Sequence, residues 1–176
     1  MFTLRNIPWI TDGANDFLEA GVKDGEIKNV LEFGSGASTY WLVRNNVSVV
    51  SVEHDETFYD HMSAKLEPYS DLLEYIYCPL PYEDTSLKFR DRNIQFDVLS
   101  IDGRRRVQCA KSSHELIKPG GFLMLDNDER PRYGEIHEML SDWKKTRFEQ
   151  EGVDYTGWDH GHPEGSWITT IWQKPQ

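Results

Sequence analysis

NVLEFGSGAS, residues 29–38, reads as an apolar strand, a glycine turn and a helix start, and the next apolar run, VVSVEHD, ends in the acidic Glu53. A ligand can approach a backbone closely only where side chains are absent and amide N–H groups point outward, and Gly34 and Gly36 meet that need. A carboxylate at the tip of the second strand can accept both hydroxyl protons of a ribose, and Glu53 lies about the expected 20 residues beyond the turn. The layout is that of a nucleotide-cofactor crevice. The same residues would also serve a plain strand-to-helix turn and a solvated strand end.

Two residues narrow the choice of cofactor. Thr39 stands where the third glycine of GxGxxG would be, which removes one support for the close pyrophosphate approach of a dinucleotide enzyme. Glu32, two residues before Gly34, would repel a pyrophosphate but suits a ligand with an ammonium group, as S-adenosylmethionine has. A dinucleotide-binding NAD(P) oxidoreductase is the rival reading. A noncatalytic module that keeps the crevice is a second.

The chain resembles the class I S-adenosylmethionine-dependent methyltransferases. Glu32, Gly34 and Gly36 match that family's first motif, Glu53 its ribose acid, FDVLSIDG (96–103) its fourth-strand motif, and LIKPGGFLMLDN (116–127) the approach to and passage through its fifth strand. VLEFGSGAST with SVEHD, IDGRRRVQCA and LDNDERPRY looks like the small stand-alone members. The resemblance implies a doubly wound α/β fold, with a mostly parallel sheet of about seven strands, helices on both faces and an antiparallel C-terminal edge hairpin. It also implies that Glu32, Gly34, Ser35, Gly36 and Ser38 hold the methionine end of the cofactor, that Glu53 and His54 hold the adenosine, and that Asp102 bridges cofactor and chemistry.

Strands are expected near residues 28–33, 48–53, 73–77, 96–101 and 121–125, alternating with helices, which by itself implies a parallel sheet covered on both faces. The pattern predicts helices from Thr11 or Asp12 to Ala20, Ser38 to Asn45, Glu56 to Leu66, Arg105 to Ile117, and Tyr133 to Phe148. Residues 79–93 are expected to form a loop, and KPGG is expected to stop the helix before the fifth strand. Val153–Trp158 and Trp167–Trp172 are the candidates for the edge hairpin.

Open parallel sheets bind ligands beyond the carboxyl ends of their strands, and Asp102, Asp126 and Asn127 fall there. Three such oxygen ligands suit Mg²⁺. The set resembles metal-dependent O-methyltransferases, where the ion binds the substrate hydroxyl and lowers its pKa for in-line attack on the sulfonium methyl. Asp102 and Asp126 are therefore the catalytic candidates. Those enzymes often place a lysine three residues after the first aspartate, whereas this chain has Arg105, a poor base. The metal site, Asp128 or solvent would then take the proton; without metal, Asp102 could act as general base. Residues 126–128 also fit a solvated loop with an Asx turn.

At 176 residues the chain is expected to be one domain. A net charge of −11 argues against a nucleic-acid partner. No run approaches the roughly 20 apolar residues of a membrane helix, and MFTLRNIPWI lacks a secretion-signal pattern, so a cytosolic protein without a membrane partner is expected. Two cysteines, Cys78 and Cys109, lack metal spacing. Arg104–Arg106 form the one basic cluster, fit either to hold a carboxylate or phosphate on the substrate or to be a solvated helix start, with Arg104 favoured because it is nearest Asp102. His61, His114 and His137 read as helix residues, and Asp159, His160 and His162 as a turn patch. Trp9 and Pro79–Tyr82 are the aromatic candidates beside the crevice. A small-molecule acceptor would meet residues 1–20, 79–93 and 126–134, with a partner subunit, including a second copy of the chain, as a further source of pocket wall.

Overall fold

The computed structural model describes residues 6–151 and 166–176. In chain order the elements are α1 (Asp12–Lys23), β1 (Asn29–Phe33), α2 (Ala37–Arg44), β2 (Ser48–Glu53), α3 (Glu56–Leu66), β3 (Leu73–Tyr77), α4 (Leu87–Asp91), β4 (Phe96–Ile101), α5 (Arg106–Ser113), β5 (Ile117–Asp126), α6 (Gly134–Met139), β6 (Lys144–Glu151) and β7 (Ser166–Gln173). The strands form one sheet in the order β3-β2-β1-β4-β5-β7-β6. β1 to β5 are mutually parallel, and β7 runs antiparallel between β5 and β6.

Both faces of the sheet are buried, so its central strands are mostly apolar on both sides, with a few buried polar residues such as Glu32, Ser51 and Ser100 among them. Neighbouring residues divide between two cores: Leu31, Leu99, Leu123 and Trp172 face one, with Phe89, Ala110 and Ile136, while Val30, Val98, Met124 and Ile171 face the other, with Leu18, Leu42 and Met62. β1 pairs with β2 on one side and β4 on the other. Successive crossovers therefore leave in opposite directions, which opens a crevice at the carboxyl ends of β1 and β4.

Five expectations need correction. The helix expected over Tyr133–Phe148 is confined to α6, and Lys144–Glu151 is the sheet-edge strand. There Phe148 and Gln150 are half-buried while their neighbours Arg147, Glu149 and Glu151 are exposed, a strand period with charges on the outer side that also guard an edge. β6 is the hairpin partner of β7; the expected strand Val153–Trp158 and the turn with Asp159, His160 and His162 lie outside the described residues. Residues 79–93 hold a 3-10 turn at Glu83–Ser86 and α4, anchored by buried Tyr82 and Phe89. The helix expected to reach Ile117 is α5 followed by a 3-10 turn at His114–Leu116, and KPGG belongs to β5, with Gly120 at φ 77° in an irregular stretch of the strand. α1 also runs past Gly21 to Lys23. No helix among the described residues is long and apolar enough to cross a membrane.

Candidate active site

The glycine turn after β1 is held by what surrounds it. Gly34 N–H donates to Val52 O at 3.0 Å, and Phe33 O accepts from the amides of Asp102 and Gly103 at 3.1 and 2.8 Å. Gly34 has φ 96°, and a Cβ there would stand 2.6 Å from Gly103 N, so this position excludes side chains both by conformation and by contact. A Cβ on Gly103 would meet Tyr82 Oη at 2.2 Å. That hydroxyl donates to Arg104 O at 2.9 Å, so the turn, the β4 exit and the segment before α4 are packed as a unit.

Glu53, at the tip of β2, braces the turn from the other side. Oε2 accepts from Ser35 N and Oγ at 3.0 and 2.9 Å, and Oε1 from the amides of His54 and Asp55 at 2.8 and 2.9 Å. His54 Nδ1 is 2.9 Å from Oε1.

Glu32 occupies a different place from the one expected of an ammonium partner. It is fully buried, and its carboxyl accepts from Ser51 Oγ at 2.8 Å and from the hydroxyls of Ser38 and Thr39. Thr39 Oγ1 in turn accepts from Gly36 N at 2.9 Å. Thr39, standing where a third glycine would be, thus ties the turn to Glu32. Burial pushes the Glu32 carboxyl up to about 7 against the pull of its three hydroxyl donors, and the charge of Asp102 adds to the rise.

A cavity of about 1150 Å³ opens over these strand ends. Gly34, Ser35, Glu53, His54, Asp102, Asp126 and Asn127 line it; Glu32, Gly36 and Ser38 are not on its wall. Trp9 is on the wall, as are Thr57 and Phe58 of α3, whereas Tyr82 is buried behind it.

At the far end the structure brings Asp102, Asp126 and Asn127 together around Arg106. The guanidinium donates from Nε to Gly103 O at 3.0 Å, and from Nη2 to Asp102 O, Asp102 Oδ1 and Asn127 Oδ1 at 2.8, 3.0 and 3.1 Å; Nη1 donates to Asp126 O. Burial works against the charge of Arg106, but Asp102, Tyr133 and Asp126 outweigh it and hold the guanidinium firmly protonated. Asp126 Oδ1 accepts from Trp167 Nε1 at 2.9 Å and Thr169 Oγ1 at 2.7 Å. Burial, with Asp102 nearby, pushes the Asp126 carboxyl up to about 8. Asp102 is 39% exposed at its side chain. Burial of its surroundings raises its pKa against the pull of Arg106 and Arg130, and its second oxygen has no hydrogen bond among the described residues.

These donors do not suit a divalent ion. Asp102 Oδ1 and Asn127 Oδ1 already face a guanidinium, and the Asp126 carboxyl accepts from two protein donors and stands beside a fixed positive charge. No group of three or more His, Cys, Asp or Glu side chains placed to hold a metal ion occurs among the described residues. Asp128 is engaged elsewhere, with His137 at 2.8 Å and Thr170 at 2.6 Å. Arg105 is held by Glu83 through contacts of 2.6–2.9 Å. His114 bonds the Ala110 and Lys111 carbonyls at the end of α5.

Sequence reasoning missed Arg106 as the centre of the site and missed Trp167, and it placed Arg130, Arg132 and Tyr133 at the acceptor pocket only as part of residues 126–134 without singling them out; all of them line the cavity. The two arginines of DERPRY were open to discovery, since they follow Asp126 at a strand's carboxyl end. Trp167 and Thr169 gave no local signal: the pairing of Asp126 with Thr169 is a matter of sheet register.

No family model matches the sequence, and no curated protein matches it. Solved structures do. An O-methyltransferase from Bacillus cereus in complex with S-adenosylhomocysteine aligns with a TM-score of 0.70 at 21% identity, over 96% of this chain and 85% of that one. The O-methyltransferase TomG from Streptomyces achromogenes, involved in tomaymycin synthesis and in complex with S-adenosylmethionine, gives 0.67 at 19%, over 94% and 81%. A precorrin 8w decarboxylase from Methanobacterium thermoautotrophicum gives 0.68 at 15%, over 98% and 96%. At such identities the likeness is one of fold: the chain has the Rossmann-like methyltransferase fold. The activities named for these proteins differ, so the fold alone selects no acceptor.

Proposed function

We propose that this protein is an S-adenosylmethionine-dependent methyltransferase acting on a hydroxyl of a small acceptor, without a divalent metal. The observation that carries the reading is one uninterrupted cavity that runs from Ser35 and Glu53 past Asp102 to Asp126 and Trp9. Its volume of about 1150 Å³ exceeds the about 300–1,000 Å³ usual for one small ligand, which suits a cofactor and an acceptor side by side. S-adenosylmethionine supplies, when bound, an electrophilic methyl on a sulfonium.

The chain's own residues would act as follows. Glu53 is fixed by three backbone amides and a hydroxyl, a carboxylate already oriented at the strand tip where a ribose diol would be received. Gly34 and Ser35 let the cofactor approach the backbone, and His54 and Phe58 offer apolar faces for the base. Asp102 takes the proton of the acceptor hydroxyl on its second oxygen, as general base. Arg106 orients that carboxylate and supplies the fixed positive charge that Mg²⁺ was expected to provide. Alignment of hydroxyl and methyl donor does most of the remaining work.

Calorimetric titration with S-adenosylmethionine, S-adenosylhomocysteine and NAD, with and without Mg²⁺, tests this. Binding of the first two, independent of Mg²⁺ and lost in Glu53→Ala, is the expected result. Binding of NAD alone favours the oxidoreductase and refutes the proposal, and so does cofactor binding without methyl transfer across an acceptor screen.

A further inference from the structure

The charge of the cavity is divided along its length. Glu53 and Asp55 lie at the glycine-turn end, whereas five arginines line the other: Arg104, Arg105 and Arg106 after β4, and Arg130 and Arg132 after β5. Two of these have fixed partners, Arg105 with Glu83 and Arg106 with the strand ends. Of the other three, Arg130 forms an ion pair with Glu129, whereas Arg104 and Arg132 pair with no carboxylate among the described residues. Arg104 is exposed, and its guanidinium makes no hydrogen bond or ion pair among the described residues. Arg132 is exposed and donates to the neutral Tyr133 hydroxyl at 3.1 Å, lying over that ring at 5.1 Å. Arg130 is half-buried, with Nε 3.6 Å from Glu129 Oε1.

A chain of net charge −11 has ample carboxylates to pair its arginines. Solvated surface arginines would be scattered, yet these come from two separate loops onto one cavity wall. The acids at that end offset them only in part. The Asp102 carboxylate is engaged by Arg106, and the buried Asp126 carboxyl is turned to Trp167 Nε1 and Thr169 Oγ1. A planar guanidinium binds a carboxylate or phosphate through paired N–H donors, and arginine is the side chain suited to that geometry.

Resting on the methyltransferase reading, we propose that the acceptor is a small hydroxylated anion, whose carboxylate or phosphate is held by Arg104, Arg130 and Arg132 while its hydroxyl lies at Asp102. Trp9, on the same wall, gives such a molecule an aromatic face.

The test uses the full chain saturated with S-adenosylhomocysteine and titrated with para-hydroxybenzoate, phenyl phosphate and the neutral para-hydroxybenzamide. At least one anion should bind about tenfold tighter than the amide, the value of a single charge-assisted hydrogen bond, and which one does so separates a carboxylate from a phosphate acceptor. The double variant Arg104→Gln/Arg132→Gln changes two exposed side chains outside the core. It should lose that preference by about tenfold while keeping its affinity for S-adenosylhomocysteine. Amide and anions binding alike, neither anion binding, or an unchanged preference in the variant would overturn the proposal and leave the methyltransferase reading standing. Failure of the wild-type chain to bind S-adenosylhomocysteine would instead refute that reading, and this one with it.

Discussion

Replacing Glu32 by Gln keeps the shape of a fully buried side chain and removes its ability to ionise. In the folded protein the carboxyl is pushed up from 4.5 to about 7, chiefly by burial. A group with a raised folded-state pKa stabilises fully below its unfolded value, and that contribution is lost as pH rises through the folded value. At about 1.4 kcal/mol per pH unit, the loss between the two is about 3 kcal/mol. The isoelectric point near 4.9 argues for working above it. Between about pH 5.5 and about pH 8.5, some 2 kcal/mol of the loss should be visible. Urea unfolding of wild type and Glu32→Gln across that range gives two stability curves, and their difference cancels Asp126, which titrates in both. The wild type should lose about 2 kcal/mol relative to the variant, with most of the change below pH 7.5. Parallel curves would refute the reasoning, because they would mean that Glu32 keeps the same charge throughout. The variant should also bind S-adenosylhomocysteine as tightly as the wild type, since Glu32 braces the turn and is not on the cavity wall; a loss there would restore it as a ligand to the ammonium.

Arg106→Met should cost about 3–5 kcal/mol in urea unfolding, because it leaves the Asp102 carboxylate and strand-end carbonyls without their donor, and Arg106→Lys should recover only part of this. Gly34→Ala should destabilise by at least about 1–3 kcal/mol, read as a fall in melting temperature, because φ 96° and the 2.6 Å approach to Gly103 N both oppose a Cβ. Asp102→Asn should lower kcat by about 10²–10⁴-fold with cofactor binding retained. Since burial holds Asp102 above the ordinary carboxylate range, the wild-type rate should rise with pH on an acid limb displaced upward from that of a free aspartate, and the variant should lack that limb. A chelator should leave the wild-type rate unchanged, and stimulation by Mg²⁺ would count against Arg106 as the built-in cation.

What was legible in the sequence was what local pattern encodes. The strand–Gly34–helix turn, the acid at the β2 tip and the apolar runs of β1, β2 and β4 follow from φ, from approach distance and from two-sided burial, and each leaves a trace in a few consecutive residues. The edge was less legible. Lys144–Glu151 carries so many charges that its period is hard to separate from a helix's, and what makes it a strand is pairing with β7, a partner distant in sequence. The site was half legible for the same reason. Asp102, Asp126 and Asn127 announce themselves as strand-end acceptors, but acceptor chemistry alone does not say which cation they face. That depends on Arg105 adopting φ 51° at the start of α5, with Arg106 only 8% exposed while Arg105 stays outside with Glu83.

The surroundings of Arg106 also explain why this cation is a guanidinium and not a lysine. Two adjacent parallel strands, β4 and β5, end side by side and leave the carbonyls of Asp102, Gly103 and Asp126 converging on one point at the cavity floor. Buried carbonyls need donors, and the five acceptors here exceed the three N–H groups of a lysine ammonium, whereas a guanidinium carries five N–H donors spread in a plane. Three guanidinium nitrogens reach all three carbonyls and two side-chain oxygens besides, so the same group satisfies the backbone and fixes the carboxylate that would take the proton. The binding floor is then a rigid part of the fold, held from the β7 side by Trp167 and Thr169 through Asp126. Choice of acceptor is left to side chains that carry no such duty, which is where Arg104 and Arg132 stand.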